Sequence, residues 1–157
     1  MTSDAWQSPH LAVPSFRSRA EYGASLGDAA YWAPYVREVL GRHGLPLGQL
    51  AVGAVGTFPT FLVDRYVAKL FLPTLAKPFG TLFNGTLCHE VEAAILGILA
   101  GQTAIPGPAL VAAGRLVFGR SGGGADGGTG GRADVGTSEG VGAEAPTPWP
   151  YLVMTRV

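Results

Sequence analysis

The stretch Val52–Phe71, VGAVGTFPTFLVDRYVAKLF, decides the fold. Its apolar residues come in short blocks separated by turn formers, a pattern that predicts strands over Gln49–Val55, Thr60–Val63 and Tyr66–Leu72. Asp64-Arg65 forms a tight turn between the last two, and Pro59 belongs at a strand start or edge, where its missing N–H is not needed. Lys69 is the only charged residue of the third strand, and strand alternation puts it on one face with Val67 and Phe71. Two readings stay open at this point. An edge strand would let the side chain snorkel to water; a strand covered on both faces would demand a counter-charge, because an unpaired buried ion costs several kcal/mol.

The nearest source of that counter-charge is downstream. Thr86–Ala100, TLCHEVEAAILGILA, is the clearest helix of the chain, with Thr86 as its cap and Val91, Ala94, Ile95 and Ile98 as its inward stripe, Leu99 beside it. Glu90 and Glu92 are its only acids, about 200° apart around the helix, so only one of them faces the sheet. Glu92 is followed by Ile95, Leu96 and Leu99 at helical spacing, Glu90 by Ala93, Ala94 and Gly97. Glu92 is the expected partner of Lys69.

Around this centre the chain reads as one domain. Met1–Ala20 is polar and loosely ordered, and Glu21–His43 is helical, as one helix or two split near Pro34, closed by the glycine of GRHGL. Tyr31, Trp32 and Tyr35 pack that helix onto the sheet. IPGPALVAAG followed by RLVF is a strand pair or one bent strand, and WPYLVMTRV, residues 149–157, is a last apolar strand. Residues 119–148 hold 11 of the 24 glycines and no aromatic residue, so the segment buries too little surface to fold and reads as a flexible insert. Its GGTGGR is similar to a calcium-binding glycine-rich repeat, but Arg132 stands where that motif needs aspartate.

Composition narrows the function. Lys plus Arg equals Asp plus Glu, 11 each, with no basic stripe, which argues against a nucleic-acid partner. Cys88 is the only cysteine, so neither an internal disulfide nor a cysteine-rich metal site is available. His10, His43 and His89 lack ligand spacing and take surface or cap roles. No basic segment with an apolar core opens the chain, which makes the cytoplasm the expected location and a membrane partner unexpected. The uncharged stretch 93–114 is long enough to span a bilayer, but Gln102, Thr103, Pro106 and Pro108 break its middle; a membrane anchor there is kept as a rival reading.

A glycine-bearing strand turn, a lysine two strands later and a helix glutamate together resemble the small lobe of the protein-kinase-like fold. More closely, GTFPTFLV, YVAKLF, HEVEAAILGILAGQTAIPGPALVAAG and WPYLVMTRV are similar in order and spacing to the aminoglycoside phosphotransferase family of small-molecule kinases. The resemblance covers residues 21–157 apart from the insert. It implies an α+β fold, a protein-kinase-like N-terminal lobe with a mostly antiparallel sheet, one packed helix and an N-terminal helical segment. It further implies ATP or another nucleoside triphosphate as the cofactor, with Lys69 on the α- and β-phosphates, oriented by Glu92. The turn carrying Gly53, Gly56 and Thr57 would cover the phosphates, although GAVGTF matches neither a Walker loop nor a dinucleotide fingerprint and the two glycines equally suit a plain hairpin. Met154, Thr155 and Val157 would form the hinge beside adenine.

In that family the catalytic aspartate and the magnesium ligands come from a large lobe after the hinge. The sequence in hand stops at Val157, so the expectation is a truncated small lobe that has no catalytic residue, leaves Mg2+ mainly to the missing lobe and is inactive alone. Its acceptor would be a hydroxyl of an antibiotic or other small molecule. A non-catalytic nucleotide-binding or regulatory module is the other alternative.

Overall fold

The computed structural model describes residues 7–8, 10–54, 56–73, 84–102, 106–118 and 147–157. Among them are strands β1 (Gln7–Ser8), β2 (Leu50–Val52), β3 (Thr60–Val63), β4 (Tyr66–Leu70), β5 (Leu110–Phe118) and β6 (Trp149–Thr155). The helices are α1 (Arg19–Ser25), α2 (Ala29–Arg42) and α3 (Gly85–Ala100). The architecture is α+β: β5-β6-β4-β3-β2 pair antiparallel throughout, and β1 adds a short parallel edge to β5.

The expected strand at 60–63 is in place and the one expected over 66–72 ends at Leu70; the connection between them turns on Asp64, whose φ of 52° is the left-handed region that a short polar side chain tolerates. The first strand is shorter than expected. Pro59 lies just before β3, where its carbonyl accepts from the Leu70 N–H at 3.0 Å. The segment 110–118 is one bent strand: Leu110 pairs with Met154 and Ala112 with Val153, so Val111 is an extra residue and the strand bulges there.

Two helical layers flank the sheet. On one face α2 lays Trp32 against Trp149 with ring centres 5.7 Å apart, Tyr35 against Phe118, and His43 onto the Tyr151 hydroxyl at 2.9 Å. The break in the N-terminal helical region falls at residues 26–28 rather than near Pro34. Asp28 caps α2 by accepting from the Tyr31 N–H, and Pro34 sits inside the helix at an exposed position. One proline there forfeits one i→i−4 bond, whereas a new cap supplies one. Gly44, at φ 63°, ends α2, and the following Leu45 N–H reaches back to Leu40 O at 3.0 Å. Residues 10–20 are tied to the domain. Leu11 and Pro14 are buried, and Ala12 O accepts from the Tyr35 hydroxyl.

On the other face lies α3, and here two expectations are corrected. Its cap is Asn84, whose side chain accepts from the Leu87 N–H, and Thr86 is already inside the first turn. The stripe read as inward points out: Val91 is 50% exposed, Ile95 49% and Ile98 67%, with Leu87 beside them at 55%. The buried side is Gly85, Leu96 and the partly covered His89, Glu92, Ala93 and Leu99. Apolar residues lie on every side of α3, so hydrophobic periodicity does not single out the inward face; on the packed side Glu92 meets Lys69 and His89 stands against Phe71. As its broken middle implies, the uncharged stretch 93–114 is divided between a helix and a strand, α3 ending at Ala100 and β5 beginning at Leu110, against the rival anchor reading. Among the described residues no helix is long and apolar enough to cross a membrane. The glycine-rich segment read as a flexible insert lies, over 119–146, outside the described residues.

Candidate functional site

β4 lies between β3 and β6, so Lys69 is not on an edge strand. Its side chain rises from the α3 face of the sheet, and Nζ meets Glu92 Oε2 at 2.6 Å. The same ammonium lies 5.2 Å from the centre of the Phe71 ring and 5.9 Å from that of Phe58. Those two rings, 5.0 Å apart, give the cation an aromatic wall as well as a counter-charge. Water still reaches the pair, since the Lys69 and Glu92 side chains are 23% and 31% exposed. Glu90, the alternative partner, points elsewhere and stands 3.9 Å from Arg115 on the surface.

The exposed side of the pair opens on a cavity of about 470 Å³ bounded by the β2–β3 turn, β4, α3 and the end of β6. Five of the residues singled out in the sequence line it together: Gly56, Thr57, Lys69, Glu92 and Met154. Phe58, Thr60, Val67, Ala54 and Cys88 complete the wall. Cys88 is one helical turn before Glu92, a spacing legible in the sequence; what the sequence does not show is which way that turn faces.

The other three candidates are outside the cavity wall. Gly53 continues the sheet, donating its N–H to Thr60 O at 2.8 Å, and a Cβ there would approach that same oxygen to 2.9 Å. The hairpin requirement therefore accounts for this glycine, and its amide is committed to the strand pair. Gly56 has open space around it and is exposed on the turn. Thr155 is tied to the chain before β5: its N–H donates to Ala109 O and its Oγ1 accepts from Ala109 N, both at 2.9 Å. Val157 is 80% exposed just beyond β6.

His89 departs from the surface or cap role expected of it. Its ring stands edge-on to Phe71 at 5.4 Å, and both nitrogens are buried without a hydrogen bond. Burial pushes the imidazole below its ordinary pKa; the nearby Tyr151 backbone pulls it up, Arg115 pushes it further down, and Glu90 and Glu92 oppose that. Among the described residues no three His, Cys, Asp or Glu side chains come together as a metal would need.

No family model matches this chain, and no curated protein or solved structure matches it either. The site is therefore read from its own geometry.

Proposed function

We propose that this cavity binds the phosphates of a nucleoside triphosphate, ATP or another, and that the domain is a kinase-like small lobe of a phosphotransferase acting on a small-molecule hydroxyl. The observation that carries the reading is the Lys69–Glu92 pair at 2.6 Å, held on a central strand yet open to a cavity roofed by a turn. An ordinary surface lysine would not be ringed by Phe58, Phe71 and Glu92, and a pair that served packing alone would have no need of a cavity beside it. In this reading Glu92 holds the ammonium extended over the cavity, and the ammonium neutralises phosphate charge. Val67 and Met154, paired across β4 and β6, supply the apolar floor that a base would lie on.

Among the described residues no three His, Cys, Asp or Glu side chains form an all-protein metal site, and Glu92, the one carboxylate of the cavity wall, is engaged by Lys69. Phosphoryl transfer depends on positioning and on charge neutralisation by metal, so binding is the activity assigned to these residues. Nucleotide binding without chemistry, as in a regulatory module, fits the same observation.

The test is titration of the chain with a non-hydrolysable ATP analogue, followed by NMR shifts that read millimolar affinities. Lys69→Ala is expected to weaken binding at least tenfold, in line with a lost charge-assisted contact, while the far-UV spectrum stays unchanged. Equal affinity in the two proteins would sink the assignment. Phosphate transfer to any acceptor by the purified chain would overturn the restriction to binding.

A further inference from the structure

The turn over the cavity is held from outside by a helix that has no part in the cavity wall. Residues 53–59 connect β2 to β3, and at their base Gly53 N–H bonds Thr60 O while Thr60 Oγ1 donates to Phe58 O at 3.0 Å. The crest, with exposed Gly56 and Thr57, is secured elsewhere. The hydroxyl of Tyr22, from α1, donates to the Thr57 carbonyl at 2.7 Å across 35 residues of sequence. Tyr22 is itself buried and set by Phe16, whose ring meets it edge-on at 5.2 Å. From the inside, Phe58 plants its ring beside Phe71 under the turn. The Thr57–Phe58 peptide is thus clamped between α1 and the core.

That clamp has a consequence for the amide. In a planar trans peptide the N–H lies antiparallel to the C=O, and no described peptide is cis. With the Thr57 carbonyl aimed at Tyr22, the Phe58 N–H is aimed away from α1, and a hydrogen bond to the carbonyl also polarises that N–H as a donor. We propose that Tyr22 is a positioning residue that orients and polarises the Thr57–Phe58 peptide so that the Phe58 N–H donates to a phosphate group bound beside Lys69. This inference rests on the nucleotide reading above. It makes α1 part of the binding device, so whatever displaces α1 weakens phosphate recognition without touching the base.

The experiment compares wild type with Tyr22→Phe, which keeps the ring and removes only the hydroxyl, titrating each with AMP-PNP and with adenosine. The expected result is a loss of roughly three- to tenfold in AMP-PNP affinity, the scale of one hydrogen bond, with adenosine affinity unchanged. In wild type the Phe58 amide resonance should shift on adding AMP-PNP and not on adding adenosine, a readout that does not depend on the variant folding. Equal AMP-PNP affinity in both proteins, an equal loss for both ligands, or a stationary Phe58 amide would each overturn the assignment while leaving nucleotide binding intact. A wild type that binds neither ligand would instead remove the nucleotide reading, and this one with it.

Discussion

The Lys69 ammonium stands 2.6 Å from Glu92 Oε2 and 5.2 Å from the centre of the Phe71 ring, on a strand with neighbours on both sides. Partial exposure of both charged side chains keeps their pairing weak as a stabilising force, of the order of 1 kcal/mol or less. Lys69→Met is therefore expected to change the unfolding free energy by less than about 1 kcal/mol, against about 3–5 kcal/mol for Phe71→Ala at a fully buried ring. Urea denaturation of the two variants measures this. A cost near 3 kcal/mol for Lys69→Met would show that the lysine serves the fold rather than a ligand.

The orientation of α3 gives a second contrast. Leu96 is 4% exposed and Ile98 67%. Leu96→Ala should cost about 2–4 kcal/mol, while Ile98→Ala should stay within about 0.5–1 kcal/mol. The order would be reversed if the outward stripe of Val91, Ile95 and Ile98 were the packed one, and melting temperatures decide between them.

Gly85 opens α3 where a Cβ would overlap the Leu72 carbonyl oxygen. Helix propensity alone would make Gly85→Ala stabilising by up to about 1 kcal/mol. The backbone contact reverses the sign, because a carbonyl cannot swing aside as a side chain does, and a loss of about 1–3 kcal/mol is expected. A variant at least as stable as wild type in thermal unfolding would contradict the close approach of Leu72 to the helix start.

Acid should weaken the domain through two imidazoles. Burial pushes His89 and His43 below their ordinary pKa of 6.5, with Arg42 adding to the effect at His43. The unfolded chain then takes up protons near pH 6.5 while the folded rings resist, so the unfolded state binds more protons and stability falls as pH drops through 6.5. The fall levels off once the folded rings titrate. His89→Phe keeps a ring against Phe71 and removes two unpartnered buried nitrogens. It should flatten the decline between pH 7.5 and 5.5, about one unit either side of the ordinary histidine value, and leave the share due to His43. Melting curves across that range check it, and an unchanged slope would clear His89 of the role.

Much of the centre was legible in the residues. The strands 60–63 and 66–70 follow from alternation and from Asp64-Arg65, and the Glu92 partner for Lys69 follows from helical spacing. The face of α3 was not legible, because a helix apolar on nearly every side offers no moment to read. Gly53 and Gly56 looked alike in sequence, yet one is a sheet position with its amide committed and the other an open turn. Tyr22 carried no signal at all, since its partner is a backbone carbonyl 35 residues away and any residue supplies one.

Residue order was enough for the local elements and the chemistry on offer: a lone lysine, two acids two residues apart, and a turn with glycines. Local propensity and periodicity act within a few residues, so they reach no further. Strand order and packing alone put Lys69 on a central strand, chose the face of α3 that meets the sheet, and brought α1 to clamp the turn above the pair. Those outcomes depend on strand order and helix facing, which are set by packing between segments distant along the chain.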